Sequence, residues 1–420
     1  MTFYKETDFQ ETPIGKIPRD WKVVNLGNKE YLEILPSGIK SFEGKKFYLS
    51  TKCIDGSKIV GIEMEINFSH RPSRANMQPI LNSVWFAKMK NTIKVYAFTN
   101  ENYEEIDKYI LSTGFCGIKC KERVYSQYLK QVFLSSLFNR MKDALVTGST
   151  QQDIKQDAIA RIKIPIPPLE EQKFIAEVLS TVDEAIQKTG EIIAKIERLK
   201  KGLMHELLTK GIGHKEFKDT EIGRIPKEWE VIKLGNKELA EIIMGQSPPS
   251  STYNKEGKGL PFLQGKMEFG DVYPSSIIYC SQPIKIAEPN DILISVRAPV
   301  GDVNVAPYKL CIGRGLAAIR FNLNRTSHWF YFYYFQKIKN FLENLGKGST
   351  FKAITKEDLE NLKVPYPPLS EQQKIAEILL TFDKKLEIER KEKAKLERIK
   401  QGLMDMLLTG KIRVRIEGVK

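Results

Sequence analysis

The chain repeats itself, and that repetition limits its possible folds more than any other feature. Residues 12–30, TPIGKIPRDWKVVNLGNKE, recur at 220–238 as TEIGRIPKEWEVIKLGNKE, with 12 identities in 19 positions at an offset of 208. Residues 148–209 recur at 348–409 with 28 identities in 62, at an offset of 200. Between these anchors only a skeleton persists. NSVWFAKM (82–89) aligns with NDILISVR (290–297), which reads as a buried strand, and Gly114-Phe115 aligns with Gly315-Leu316. Apolar stretches at 128–145 and 328–345 read as helical, the second carrying the run WFYFYYF. The pattern predicts two related α+β modules, each followed by a long helix. Framework positions agree and connecting loops differ, as expected of two modules that share a scaffold and bind different ligands.

The long helices follow IPIPPLEEQ and VPYPPLSEQ, where prolines block an earlier start. Ile175, Val182, Thr189, Ile196 and Leu203 fall at sevens, with Val178, Ala185, Ile192 and Leu199 between them. The second copy keeps the pattern at its ends with Ile375, Ile378, Phe382, Leu396, Ile399 and Leu403, and carries Lys385, Glu389 and Glu392 in its middle. A lone helix cannot bury such a stripe. Two copies packing about a pseudo-two-fold would run antiparallel as an intramolecular coiled coil, roughly 60 Å long at about 1.5 Å per residue, with a module at each end. The expected boundaries are 1–163 for the first module, 164–211 for its helix, 212–363 for the second module, and 364–420 for the second helix and tail.

The charge balance is 66 basic against 52 acidic residues, a net +14, with a pI near 9.2. Such an excess suits a polyanionic partner. At 41% hydrophobic residues the chain can bury real cores. No apolar run approaches the roughly 18 residues needed to cross a bilayer, the first residues lack a signal-peptide pattern, and five scattered cysteines make no disulfide framework. The cytoplasm is the expected compartment.

Catalytic signatures are missing from the sequence. It has no Asn-Pro-Pro-aromatic motif, no glycine cluster after a strand and no Walker A loop. Cys116 and Cys120 lack a second pair or a spaced histidine to complete a zinc site, and Asp291 lacks the Glu-x-Lys partner of a metal-dependent nuclease. No metal or cofactor is expected in this chain. The reading is of a binder.

Loop cations and amides at strand edges are the expected readers of bases and phosphates. In the first module SHRPSRANMQ offers Arg71, Arg74, Asn76 and Gln78, and Lys88, Lys90 and Lys94 follow the buried strand. In the second, GQSPPSSTYN supplies Gln246, Ser247 and Tyr253, LQGKM supplies Gln264 and Lys266, and Arg297 and Arg314 flank the matching strand and glycine turn. WFYFYYF reads as a packing face, since its first-copy counterpart is aliphatic.

Taken together, IPxxWxVxxLG opening each half, PNDILISVRAPVG, IGRGLAAIR, VWFAKMKN, LSTGF and the paired PPLxEQ helices ending in GLMxxLLT resemble the specificity subunit of type I restriction-modification systems. The resemblance spans nearly the whole chain. It implies two target recognition domains, each reading half of a split, asymmetric DNA site, with the helical regions as spacer and as dock for two modification subunits. Those partners would bind S-adenosylmethionine and methylate adenine, and restriction subunits using ATP with Mg could join them. None of that catalysis would lie in this chain. The alternative is a coiled-coil scaffold that tethers proteins without sequence-specific DNA binding.

Overall fold

The computed structural model describes residues 2–145, 154–345 and 353–415. The GST anchors at 148–150 and 348–350 lie outside the described residues. The chain divides into two compact units, Met1–Gly190 with Glu392–Lys420, and Glu191–Lys391.

Both units follow one plan. Each opens on a hairpin, Phe9–Thr12 with Gly15–Pro18 and Phe217–Thr220 with Gly223–Pro226. Gly15 and Gly223 sit at φ 103° and 104°, a backbone region that favours glycine, which explains the repeated IG in both copies. In unit one the main antiparallel sheet runs Val95–Phe98, Ser83–Ala87, Phe115–Cys120, Leu32–Ile34. In unit two it runs Val303–Val305, Ile292–Ser295, Leu316–Phe321, Ala240–Met244.

The central strands are buried on both faces. Val84, Phe86, Cys116 and Ile118 join a core with the helices, while Trp85, Ala87 and Phe115 join a second core under a further sheet. Unit two divides in the same way, with Ile292, Ile294 and Ile319 on one side and Leu293, Leu316 and Ala318 on the other. The further sheet carries a parallel pair in each unit, Lys46–Leu49 beside Tyr109–Ser112 and Leu260–Leu263 beside Leu310–Ile312. The helical stretches are each two helices. Ser126–Leu134 ends at Ser135, whose hydroxyl bonds to Val132 O (2.6 Å) and caps Ser136–Ala144 by accepting from Phe138 N (3.2 Å). Its counterpart is His328–Lys337 followed by Lys339–Leu345, with Phe330 to Phe335 all buried.

The long helices are α1, Leu169–Lys210, and α2, Leu369–Leu407. Each is seated by the PPLxEQ motif. The buried Gln172 amide accepts from Tyr125 N (2.9 Å) and donates to Pro167 O (2.9 Å) and Arg123 O (3.0 Å). Gln372 accepts from Ser327 N (2.9 Å) and donates to Pro367 O (2.8 Å). Trp21 and Trp229 donate their indole N–H to Glu171 (3.0 Å) and Glu371 (2.9 Å). Tyr128 and Tyr331 each bond 3.0 Å to a proline carbonyl, Pro165 O and Pro365 O.

In both units the start of one long helix packs on the end of the other, antiparallel. Ile175, Ala176 and Leu179 share a core with Met404, Leu407 and Leu408, and Ile375 and Leu379 share one with Leu207 and Leu208. Half-buried ion pairs repeat the relation: Lys400 with Asp183 at 2.6 Å, and Lys200 with Asp383 at 2.5 Å. Val178, Leu203, Ile378 and Leu403 pack at the edges of these cores, and Val182, Ile196, Phe382 and Leu396 are half-buried.

Ile192, Leu199 and Ile399, expected on the seam, are 43%, 55% and 43% exposed. The inward series is instead Ile175, Leu179, Val182, Ile186, Thr189, Ile193, Ile196, Lys200, Leu203, Leu207. The residues at sevens face inward, but the intervening step is four residues rather than three, since a single heptad series is compatible with either a or d assignment. The second helix shifts likewise, so Leu386, 6% exposed, replaces Lys385 on the seam.

One pairing has no precedent in the repeat. Thr2–Lys5 forms an antiparallel ladder with Ile412–Arg415 and joins the two ends of the chain in unit one. No helix among the described residues is long and apolar enough to cross a membrane.

Candidate nucleic-acid interface

The polar candidates of unit two converge on the turn Gly313-Arg314-Gly315. Three backbone segments meet there with no room for side chains between them. A Cβ on Gly245 would lie 2.2 Å from Gly313 O, and one on Gly315 would lie 2.5 Å from Gln264 O. Main-chain bonds lock the contact: Gln246 N to Ile312 O (3.0 Å), Gly313 N to Leu263 O (2.8 Å) and Val296 N to Gly315 O (2.9 Å). Ser247 Oγ accepts from Arg314 N at 3.2 Å. The arrangement gathers the exposed side chains of Gln246, Gln264, Arg297 and Arg314 along one edge, each within two residues of a strand's end.

Two other candidates brace that edge. Tyr253 stacks on Phe262 (centroids 4.7 Å apart) and donates to Pro248 O at 2.8 Å. Lys266 bonds to Asp302 at 2.7 Å, and Asp302 also receives Lys339 at 2.6 Å. Burial would raise the Asp302 pKa, but the two ammonium groups outweigh it and hold the carboxyl below its ordinary range.

Unit one repeats the frame with different side chains. Lys88 N bonds to Gly114 O at 2.9 Å, the counterpart of Val296 with Gly315. Thr113 N bonds to Arg74 O (2.9 Å), and Lys94 Nζ bonds to Thr51 O (2.7 Å). Arg74, Lys88 and Lys94 therefore surround the Gly114 turn, with the Lys94 charge engaged by a carbonyl. Lys90 is exposed on a loop fixed by the buried Lys142, whose Nζ donates to Met89 O (3.1 Å) and Thr92 O (2.5 Å). Burial lowers the Lys142 pKa.

Arg71, Asn76 and Gln78 engage other partners. Arg71 lies over the Phe68 ring at 4.4 Å, Asn76 donates to Ser37 Oγ at 3.0 Å, and Gln78 reaches Pro79 O at 3.5 Å.

Thr51 and Thr113 also border the Gly114 turn and are not among the sequence candidates. A signal existed: LSTKC (49–53) aligns with LQGKM (263–267) once the parallel strands are matched, placing Lys52 at the position of Lys266.

Asp291 is buried against Arg320 (2.9 Å) and accepts from Glu288 N (2.8 Å). Burial raises its pKa while Arg320 opposes the shift, so the group acts as a structural brace. Cys116 and Cys120 are buried in one strand, and burial pushes both thiols up to about 12. Among the described residues no group of three or more histidine, cysteine or acidic side chains is placed to hold a metal ion.

The sequence profile of the type I restriction modification DNA specificity domain matches twice, over residues 74–198 and 226–398. A protein of Methanocaldococcus jannaschii, provisionally named the type I restriction enzyme MjaX specificity subunit, is 44% identical over 99% of both chains. The chain belongs to the type I restriction-modification specificity subunit family. A second relative in this family, the MjaVIII specificity subunit of the same organism, is 31% identical over 99% of this chain and 98% of its own length. A chain in a solved structure concerning complex assembly and conformational transition of the type I R-M system matches at TM-score 0.61 and 33% identity, covering 94% of this chain and 99% of that one. The S subunit from M. genitalium, at TM-score 0.59 and 17% identity over 94% of this chain and 98% of that one, shares the fold. Two repeated specificity domains joined by paired helices mark a DNA specificity subunit, and membership in this family sets the tethering-scaffold alternative aside.

Proposed function

We propose that each module reads one half of a bipartite, asymmetric DNA site. The carrying observation is the contrast between two corresponding glycine turns with unlike polar surroundings. Gln246, Gln264, Arg297 and Arg314 border one, and Arg74, Lys88 and Lys94 the other. Glutamine and arginine can address adenine and guanine edges with paired hydrogen bonds, and lysines neutralise phosphates. An unchanged frame with changed side chains reads two different short sequences. The target recognition domains are assigned to 1–163 and 212–363, and the helical regions 164–211 and 364–420 act as spacer and as the dock for two modification subunits. Recognition resides here. Adenine methylation with S-adenosylmethionine belongs to the modification subunits, and ATP-dependent cleavage to any restriction subunits that join them. The complex works where the cell's DNA is, in the cytoplasm.

The test is selection of bound duplexes by the full chain with its modification subunits, repeated with Arg314→Ala and Arg74→Ala. Each variant is expected to relax preference in one half-site only and to weaken binding by about 1–3 kcal/mol. Binding indifferent to sequence, or one variant altering both half-sites, would overturn the assignment. Affinity should also fall steeply with salt, which a protein tether would not show.

A further inference from the structure

Met267 is 95% exposed, more than any other large apolar side chain among the described residues. Its backbone is held on both sides. It lies in the short 3-10 turn Lys266–Glu268, closed by Phe269 N to Lys266 O (3.0 Å), with Glu268 O accepting from Ser275 N (2.8 Å). Lys266 is fixed to Asp302, and Gly270 exchanges bonds of 3.0 and 2.9 Å with the buried Asn304 side chain. The turn follows Gln264 directly, and Gln264 packs on the glycine turn that carries Arg314.

Aligned on the parallel strands, Cys53 stands where Met267 does, but it is the last residue of the turn Thr51–Cys53 and is buried, 5% exposed, in the core under the second sheet, whereas Met267 is the middle residue of a turn that starts one residue later. This one-residue shift of the turn tucks the side chain inward in one module and projects it into solvent in the other. Framework packing does not require Met267, yet a rigid turn displays it beside the amide and guanidinium groups of the DNA edge. The major-groove feature that an apolar side chain can read is the C5-methyl group of thymine.

We propose that Met267 is a specificity-determining residue of the second module and packs on a thymine methyl in its half-site. This rests on the DNA-reading function proposed above. Thymines of the selected site are replaced one at a time by deoxyuridine, which lacks only the methyl, and binding is measured with the full chain and with Met267→Ala. Because Met267 is solvent-exposed, the substitution leaves the core intact. One replacement in the second module's half-site should weaken the unsubstituted protein about 3- to 5-fold, the value of one buried methyl-sized group. In Met267→Ala that sensitivity should vanish, while replacements in the other half-site affect both proteins alike. If Met267→Ala keeps every deoxyuridine sensitivity, or if it loses affinity although no replacement matters to the unsubstituted protein (as for a wedge between base steps), the proposal fails. Absence of any sequence preference in either protein would instead break the DNA-reading function itself.

Discussion

Each half seats its long helix with the same tryptophan, glutamate and glutamine, yet the two seats are closed by different side chains. In the first, Arg413 reaches Glu171 (2.8 Å), Asp20 (2.7 Å) and Glu6 (2.8 Å) from the strand that joins the chain ends. Burial works against its charge, but the three carboxylates more than compensate and raise its pKa. In the second, Glu371 accepts from His214 (2.8 Å) and from Ile212 N (2.9 Å), both on the segment leaving α1. The carboxylate is required by the indole and the helix start. Its counter-group comes from whichever segment leaves a long helix at that point. Duplication therefore preserved the geometry around backbone carbonyls and the indoles and left the closing residue free to differ.

The shared part of the comparison can be tested most strongly inside the seam. Leu179→Ala and Leu379→Ala should each cost about 2–5 kcal/mol and by similar amounts, since both side chains are fully buried at equivalent positions. Leu199→Ala, on the exposed face, should stay within about 0.5 kcal/mol. Denaturant unfolding of the three variants checks this, and a large loss from Leu199→Ala would restore the three-residue step.

The differing part is sharpened by Glu171→Gln against Glu371→Gln. The first leaves a buried guanidinium with one fewer carboxylate and should cost about 3 kcal/mol. The second keeps neutral hydrogen bonds available and should cost about 1 kcal/mol. Equal losses would mean that the closing cation is irrelevant.

A last effect concerns pH. His328 starts a helix found in unit two, and burial lowers its pKa to about 4 from the ordinary 6.5. The folded state thus binds the proton less well than the unfolded state does. Stability of this half is full above about pH 6.5 and falls as the pH drops from there toward 4. His328→Gln should flatten the part of that decline between pH 6.5 and 5.5, as followed by thermal unfolding. An unchanged profile would remove His328 from the account.

Much of the scaffold was legible because it is written twice. Asn82 and Asn290 align in the repeat, and both adopt positive φ, 57° and 72°, before the buried strand. Gly211 and Gly410 likewise end the long helices at φ 66° and 69°. Of the polar candidates, those next to the glycine turns were gathered by the fold, and Arg71, Asn76 and Gln78 were drawn into other contacts, a distinction that residue type alone does not carry. Thr51 was not legible because its place depends on a parallel strand pair whose partners are some 60 residues apart in sequence.

Sequence by itself determined the duplication, the two α+β modules, the paired helices and the basic character, since each rests on local periodicity, repeated turn residues or composition. Tertiary structure alone decided which face of each helix turns inward, that the chain's two ends form one ladder, and which loop residues share an edge. Those outcomes depend on contacts between segments far apart along the chain, where packing and main-chain hydrogen bonds choose among arrangements that local pattern leaves equivalent.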